Sequence, residues 1–459
     1  MEQVRVSKVV KTGYGIVEIG TNSLIVFASF YFLFYMTEAL GVPPVYAGLL
    51  FFLAKTFDVI TDPLIGNWSD RTHSRMGRRR PFMLAGGILL GPTVALMFFA
   101  PFVNMDSWVP SALYFMVFTM ATYLALTLIS VPGGAMTAEM SDDYNERTSI
   151  TAWRWGVGSI GMFIGGGAVP IIVTLFSENA VDPAGFRVAT IILIPLFSLP
   201  VIIGVLIMRN APKKLAEHVP AVWTQARAVF GTRSFRLLLG TYFLQVSSLT
   251  VVTSNLLFVL KYHFQREDPV SDNAVFFGIF VISTMASMPF WTWLGGQIGK
   301  KRGYIISMLG LSLVVSCVFL LSAGSIAFLD PIMALVGWFF GGYQVYPWSM
   351  IPDSVTDGQA RTGLSLEGAF NGWFTTQQKL GIAFGPLVFG ALLSLAGYQQ
   401  AYYQDGVQIF PEQTEPAILM IRLCSSLLPA VVFLLSLLII ARHENSAISH
   451  RATGDQPST

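Results

Sequence analysis

The sequence predicts an all-α integral membrane protein with twelve transmembrane helices arranged as two pseudo-symmetric six-helix bundles. Three observations predict this fold class. Of the 459 residues, 53% are hydrophobic and 12% are charged, and the mean hydropathy is +0.61. Apolar runs of roughly 20 residues, the length that crosses about 30 Å of hydrocarbon, occur repeatedly along the chain. Motifs of the first half also recur in the second half at matched spacing.

Twelve apolar runs qualify as membrane spans. They are 13–36, 44–68, 81–102, 110–137, 149–175, 186–208, 236–260, 273–297, 303–323, 328–351, 367–396 and 416–441. The longest predicted cytoplasmic connection separates the sixth span from the seventh. We therefore expect an N-terminal bundle at 1–208, a linker at 209–235, a C-terminal bundle at 236–441 and a tail at 442–459. The linker is either an interfacial amphipathic helix or loosely ordered.

The basic residues predict how the chain is oriented. Of 28 Lys and Arg, 21 lie in the termini and in the loops of one side, four lie in the opposite loops and three lie within spans. Five of them crowd the single loop 70–81. Because Lys and Arg concentrate in cytoplasmic loops, both termini should be cytoplasmic. We expect a multi-pass protein of the plasma membrane, which in a bacterium is the inner membrane.

Several classes of function are not indicated. A net charge of +2 gives no reason to expect nucleic acid binding. The two cysteines lie in apolar runs without ligand spacing, and the five histidines lie in predicted loops or the tail. No Ser–His pair or phosphate-binding loop is present to suggest an enzyme. We expect no enzymatic activity, no cofactor, no resident metal and no obligate protein partner. The expected partners are a small-molecule substrate and the lipid bilayer.

One motif occurs at the cytoplasmic end of a span in each half. Glu139 stands three residues after a methionine and eight residues before Arg147. Asp353 and Arg361 repeat this spacing in the second half. Such repetition indicates duplicated six-helix bundles, the plan of the major facilitator superfamily, in which substrate is held between the halves near the midplane.

The repeated acids and arginines predict ion pairs across the interface of the halves. Such pairs would latch one access state and would break when the halves rock. The alternative is that these residues only cap helices and fix the topology. The predicted gating and ion-pair residues are Lys55, Asp70, Arg78, Glu139, Arg147, Asp353, Arg361 and Glu367.

The second span carries three ionisable side chains. At 100° per residue, Lys55, Asp58 and Asp62 fall within an arc of about 60°, so all three should face one cavity. A charge in a span costs at least ~2.5 kcal/mol unless it faces water or another charge. Two carboxylates one turn apart repel each other unless a cation, a shared proton or Lys55 intervenes. This pattern predicts a cation site, loosened by Pro63; the alternative is an internal Lys–Asp pair that stabilises packing.

The first and fourth spans add polar positions. Tyr14, Glu18 and Asn22 follow one another at i+4 spacing and predict a cavity-lining face. The fourth span carries Thr127, Ser130 and the sequence 132–134, Pro-Gly-Gly, which predicts a break with exposed carbonyls. A tight helix crossing at these small residues is the alternative.

Two basic residues lie within later spans. Arg154 stands in the fifth span, and Lys379 stands in the eleventh span after Thr375 and Gln378. Buried cations need acidic partners. The candidate partners are Glu18, Asp58 and Asp62.

Several segments are similar to one known family. Residues 14–20 and 54–66, followed by 347–353 and 379–381, resemble the glycoside-pentoside-hexuronide:cation symporters, which include the melibiose permease. The resemblance covers nearly the whole chain. It implies a major facilitator fold and the following residue roles. The implied cation-binding residues are Asp58, Asp62, Thr127 and Ser130. The implied substrate-binding residues are Glu18, Asn22, Gly134, Arg154 and Lys379, and we add Thr375 and Gln378, the polar neighbours of Lys379 on its span, to the predicted substrate-binding set.

Three of these positions depart from the melibiose permease. Ser130 and Asn22 stand where that permease has acids, and Gly134 replaces a sugar-stacking Trp. A galactoside of the melibiose type and strict sodium dependence are therefore not expected. The resemblance implies a Na⁺- or H⁺-coupled secondary symporter of a sugar or glycoside that works by alternating access. The alternative is a cation-coupled carrier of an amphipathic lipid, such as a lysophospholipid, or of another small organic solute. The lipid is included because the lysophosphatidylcholine symporters of animals resemble the same family.

Overall fold

The structure is a computed structural model that describes residues 6–99, 101, 107–141, 143–176, 183–211, 222–362, 367–404 and 407–442. Within these ranges the chain is helical almost throughout. The first half contains α1 (Lys8–Phe34), α2 (Pro44–Arg71), α3 (Arg80–Phe99), α4 (Val109–Met140), α5 (Tyr144–Phe163), α6 (Val169–Leu175) and α7 (Pro183–Ile207). The later chain contains α8 (Val222–Gly231), α9 (Arg233–Phe258), α10 (Pro269–Ile298), α11 (Lys300–Cys317), α12 (Leu329–Thr362), α13 (Glu367–Leu395), α14 (Glu415–Ser425) and α15 (Leu427–Ile440).

Shorter segments continue or connect these helices. Three five-residue π-helical segments, Tyr35–Ala39, Ile164–Ala168 and Val259–His263, continue α1, α5 and α9. Three 3₁₀ segments are Met208–Asn210, Val318–Leu320 and Ala323–Phe328. Two short strands, β1 (Tyr402–Gln404) and β2 (Val407–Ile409), pair antiparallel with Tyr403 opposite Gln408.

All twelve predicted spans coincide with helices. In the part of the chain that the structure describes, eleven helices are long and apolar enough to cross a membrane. The predicted second span is α2, whose 28 residues are also sufficient in length, at 1.5 Å per residue. It is less apolar because Lys55, Asp58 and Asp62 lie within it. The chain is an all-α integral membrane protein.

The predicted helix break at Pro132 is wrong. Helix α4 continues through Pro132, Gly133 and Gly134 to Met140. Proline removes one backbone donor, which a long helix held by its neighbours tolerates. Helix α2 likewise continues through Pro63, and the expected loosening of that turn stays a prediction.

Glycines allow α1 and α5 to approach closely. A Cβ atom added at Gly158 would lie 2.6 Å from Cβ of Glu18, and one added at Gly161 or Gly165 would clash with the α1 backbone. Small residues at such a crossing bring two helix backbones together. The crossing places Arg154, one turn before Gly158, beside Glu18 of α1.

The chain forms two compact units. The first comprises 1–217, 253–278 and 386–420, so it contains α1 to α7 and the β-hairpin. The second comprises 218–252, 279–385 and 421–459, and its core includes the buried Trp291 and Tyr304. The predicted bundle boundaries at 208, 235 and 441 remain a prediction; most of the predicted tail and residues 212–221 of the linker lie outside the described residues.

Candidate functional site

The two carboxylates of α2 lie around one hydroxyl group of α4. Thr127 Oγ1 donates a hydrogen bond to Asp58 Oδ1 at 2.6 Å and lies 3.3 Å from Asp62 Oδ1. Asp58 and Thr127 are buried, whereas Asp62 is partly exposed. The contact joins α2 to α4 within the first unit, as the predicted cation site requires.

Lys55 approaches the Asp58 carboxylate from one turn earlier in α2. Its Nζ donates to Asp58 Oδ2 at 3.2 Å and lies 4.0 Å from the ring centroid of Tyr123. Two carboxylates and a hydroxyl are hard oxygen ligands, which suit Na⁺, and one of the carboxylates can instead hold a proton. The arrangement therefore suits a monovalent cation, which carries a single positive charge, as the Lys55 ammonium group does.

Ser130 lies one turn after Thr127 on α4. Among the described residues it makes no hydrogen bond to either Asp58 or Asp62. Its predicted role as a cation ligand remains a prediction. The described residues also contain no cluster of three or more His, Cys, Asp or Glu that could hold a metal ion.

Arg154 pairs with Glu18, one of its three candidate partners. Arg154 Nε donates to Glu18 Oε1 at 2.6 Å, and the guanidinium carbon lies 5.0 Å from the ring centroid of Tyr14. The Tyr14 hydroxyl donates to the carbonyl of Gly133 at 2.6 Å. Asn22 Nδ2 donates to the carbonyl of Gly158 at 3.1 Å. The predicted polar stripe of α1 is thus held against α4 and α5.

Gly134 lies in open space. It is exposed, and a Cβ atom added there would meet nothing within 4 Å. The alternative prediction of a tight helix crossing therefore fails at this residue. A position without neighbours is compatible with a substrate contact, which remains a prediction.

The predicted substrate residues of the second half lie on α13. Gln378 Nε2 donates to the hydroxyl of Tyr242 at 2.9 Å, which joins α13 to α9. Thr375 Oγ1 donates to the carbonyl of Asn371 one turn earlier at 2.9 Å. Lys379 is partly buried on the same helix. The substrate-binding roles of Thr375, Gln378 and Lys379 stay predictions.

The repeated acids, near the ends of α4 and α12, pair with basic residues at the start of the helix that comes before, α3 or α11. Glu139 accepts from Arg78, and its Oε1 lies 3.3 Å from Nε of Arg79. Arg79 also pairs with Asp70 at 3.1 Å. In the second unit Lys300 Nζ lies 2.8 Å from Asp353 Oδ2. Loop 66–80 and segment 295–303 thus each supply basic side chains that pair with the repeated acid of the same unit.

The repeated arginines contact backbone carbonyls. Arg147 Nε donates to the carbonyl of Ser141 at 2.7 Å, and Arg361 donates to the carbonyl of Gly231. Ion pairs across the halves remain a prediction for these residues. The side chain of Glu367, also predicted to take part in gating, lies outside the described residues.

A buried carboxylate that the sequence analysis did not identify is Glu38, in the π-helical segment after α1. It is 0% exposed and accepts hydrogen bonds from Lys261, from the hydroxyl of Tyr262 at 2.7 Å and from the hydroxyl of Tyr398. Gln408 Nε2 donates to its backbone carbonyl. We call these five residues the Glu38 network. All of them belong to the first compact unit.

The Glu38 network joins two matching helix ends. Both α1 and α9 continue in a five-residue π-helical segment, and each segment ends before a residue with positive φ, Gly41 at 66° and Gln265 at 52°. Glu38 occupies the first segment, and Lys261 occupies the second. In the sequence, the pairing was indicated only by one charged residue, Glu38 or Lys261, at the same end of the first and the seventh span.

We expect the Arg154–Glu18 pair to stabilise the first unit. Arg154→Met would leave a partly buried carboxylate unpaired and should cost about 2 kcal/mol of stability, since hydrogen bonds to charged groups contribute roughly 1.5–3 kcal/mol. Thermal unfolding of the purified protein measures this loss. Adding Glu18→Gln should restore part of it. The control is Arg266→Met, which removes an exposed ion pair with Asp272 and should have little effect on stability. An equal loss of stability in Arg154→Met and Arg266→Met would show that the Arg154–Glu18 pair does not stabilise the first unit.

Comparisons with known proteins agree with this architecture. The profile of the family described as MFS/sugar transport protein matches residues 13–444. A symporter of Synechocystis is 26% identical over 94% of this chain and 93% of its own length. The putative glycoside/cation symporter YagG of Escherichia coli is 24% identical over 87% of this chain and 85% of its own length.

A solved structure is similar in fold. The crystal structure of the nucleoside transporter NupG matches with a TM-score of 0.63 and 14% sequence identity, and the match covers 95% of this chain and 100% of NupG. At this identity the likeness shows the fold alone. The relatives and this structural neighbour are transporters.

Proposed function

Because the chain belongs to the MFS/sugar transport protein family, we propose that it is a cation-coupled symporter that moves a sugar or glycoside by alternating access. It is a transporter and not an enzyme. The observation that carries the proposal is the meeting of Asp58 and Asp62 around the hydroxyl of Thr127. The relative named as a glycoside/cation symporter supports the substrate class.

The carboxylate pair is a suitable coupling device. One monovalent cation crossing 100 mV releases ~2.3 kcal/mol. That free energy corresponds to roughly fifty-fold accumulation of substrate, at 1.36 kcal/mol for each factor of ten. We propose that Na⁺ or H⁺ binds at Asp58 and Asp62, with Thr127 as a further ligand. An incoming cation then competes with Lys55 for Asp58, so loading changes the contacts between α2 and α4.

Alternating access requires contacts that close at one membrane face and break when that face opens. We propose that the Glu38 network is such a contact at the external face, because it ties the end of α1 to the end of α9 and to the β-hairpin. At the cytoplasmic face the Arg78–Glu139 and Lys300–Asp353 pairs each lie within one unit, and we propose that they hold the helix ends of that unit together while the halves move. This orientation, with both termini cytoplasmic, follows the distribution of Lys and Arg and fits a bacterial inner membrane.

Substrate contacts are proposed on both units. In the first unit Glu18, Asn22 and Arg154 offer charged and amide groups, and Gly134 leaves space. In the second unit Thr375, Gln378 and Lys379 offer polar groups on α13. Hydroxyl-rich substrates suit such a set, since a sugar both donates and accepts hydrogen bonds.

The proposed function is tested in proteoliposomes. The purified chain is reconstituted and given an imposed Na⁺ gradient or an imposed H⁺ gradient, with labelled glycosides, pentosides, uronides and lysophosphatidylcholine offered separately. We expect one gradient to drive accumulation of at least one sugar or glycoside, and the same compound to raise the unfolding temperature of the protein. Movement of lysophosphatidylcholine without movement of any sugar would replace the proposal with a lipid carrier.

A further inference from the structure

Four basic residues lie near the ends of spans that we propose to be external. They are Arg187, Lys261, Arg266 and Arg422. Lys261 and Arg266 form ion pairs with acids. Among the described residues, Arg187 and Arg422 form no ion pair with a carboxylate. A charged side chain at the edge of the hydrocarbon is costly unless an anion or water faces it. The described chain supplies no anion to these two arginines.

The two arginines occupy matching places in the two units. Arg187 lies one turn into α7, the sixth span, and its guanidinium carbon is 5.9 Å from the ring centroid of Phe99. Arg422 lies on α14, the first part of the twelfth span, and its guanidinium carbon is 4.7 Å from the ring centroid of Phe319. Each phenylalanine stands 19 residues after the first residue of its helix, α3 or α11. The duplicated bundles therefore repeat an arginine beside an aromatic ring, between the third and the sixth span of each bundle.

Both arginines border side chains that face lipid. Ile191, one turn after Arg187, is 60% exposed. Leu320, next to Phe319, is 81% exposed. At 1.5 Å per residue, Arg187 and Arg422 lie about 6 Å and about 10 Å from the first residue of their helices. A long Arg side chain reaches from that depth to the headgroup layer. The two guanidinium groups therefore lie at the boundary between hydrocarbon and headgroups.

The described chain leaves donors of both guanidinium groups unused. Nε of Arg187 and Nε of Arg422 are buried and donate no hydrogen bond among the described residues. Arg422 donates from Nη2 to the carbonyl of Phe319 at 2.8 Å. A guanidinium group carries five N–H donors in a planar fork, and this fork matches two oxygens of a phosphate. At each arginine, Nη donors are left to face an anion from outside the protein.

We infer that Arg187 and Arg422 each bind the phosphate of a membrane phospholipid, so that each bundle carries one lipid site. The guanidinium group pairs with the phosphate oxygens, and the ring of Phe99 or Phe319 supports it by a cation–π contact. A phospholipid is the occupant because its phosphate is the anion that the bilayer itself presents at this depth. The sites do not depend on the transported substrate. Only the choice of the external leaflet rests on the orientation proposed above.

The test counts the lipids that stay bound to the purified full chain. Native mass spectrometry measures stepwise dissociation constants for phosphatidylglycerol, for phosphatidylethanolamine and for a diacylglycerol glycolipid that has no phosphate. Unfolding temperatures with the same lipids, and with inorganic phosphate alone, are a second measurement. The matched control is Arg266→Gln, because this external cation is already paired with Asp272.

We expect the wild-type protein to bind two phospholipids more tightly than it binds the glycolipid. Arg187→Gln and Arg422→Gln should each raise the dissociation constant of one phospholipid roughly ten-fold, and the double variant should lose both sites. Arg187→Lys and Arg422→Lys keep the charge but not the fork, so they should lose less. Arg266→Gln should bind both lipids like the wild-type protein. If a Gln variant is not recovered folded, the Lys variant takes its place, with a smaller loss in the same direction.

Four outcomes would overturn the inference in whole or in part. Equal binding of phospholipids by the wild-type protein and the double variant removes both sites. Equal losses of glycolipid and phospholipid show that the arginines pack against lipid without binding a phosphate. Inorganic phosphate that stabilises the protein as much as phosphatidylglycerol does removes the lipid as the occupant. Normal lipid binding by Arg187→Gln alone removes the first site and indicates a partner in segment 177–182, which contains two acids and lies outside the described residues.

Discussion

The Asp58→Asn variant is expected to lose gradient-driven accumulation of substrate while it reaches the membrane in wild-type amount. The substitution keeps the size of the side chain, so Thr127 can still donate to it. It removes the negative charge that a Na⁺ ion needs and the carboxylate that a proton would titrate. In the proposed mechanism, a protein without a charge at Asp58 no longer passes the ~2.3 kcal/mol available from 100 mV to the substrate.

Uptake and exchange are measured separately in proteoliposomes. Accumulation under an imposed cation gradient should disappear, whereas exchange of labelled for unlabelled substrate at equal concentrations should remain measurable. Asp330→Asn is the matched control, because Asp330 is an exposed acid in the first turn of α12. Normal accumulation by Asp58→Asn would remove the carboxylate pair as the coupling site.

Removing the carboxylate of Glu38 is expected to destabilise the protein strongly. Glu38→Gln leaves the Lys261 ammonium group without its acid. Breaking a buried ion pair costs about 3–5 kcal/mol. We expect the lower end of this range, because 20% of the Lys261 side chain is exposed.

Thermal unfolding of the purified protein measures this effect. Lys261→Met should be similarly destabilising, and the double variant should lose less than the sum of the two single variants because they share one interaction. Glu412→Gln, a change at an exposed acid in the segment between β2 and α14, is the control. Additive losses in the double variant would show that Glu38 and Lys261 do not stabilise the fold as a pair.

The partner of Arg154 depends on how the helices pack. The sequence places the basic side chain of Arg154 in the fifth span, and three acids are candidate partners for it. Only the close crossing of α1 and α5 at Gly158, Gly161 and Gly165 identifies Glu18 as the partner of Arg154. The pairing depends on which helix face meets which neighbour, and that orientation is a property of the packed bundle.

The carboxylate pair was easier to predict. Asp58 and Asp62 are one turn apart on the same helix, so helical geometry alone places them together. Thr127, in contrast, entered the prediction through family resemblance. The structure joins it to Asp58 by a hydrogen bond, and its role as a cation ligand stays a prediction. Ser130 entered in the same way and is not joined to them among the described residues.

By itself the sequence determined the membrane location, the number and positions of the spans and the repeated motifs, because hydrocarbon thickness sets the length of an apolar helix and duplication leaves matched spacings. Only the tertiary structure decided the Glu38 network, the three π-helical segments and the uninterrupted course of α4 through Pro132. The physical reason is that a lone charge or a proline has a cost that depends on its neighbours. Those neighbours come from segments far away in the chain, as Lys261 and Tyr398 do for Glu38.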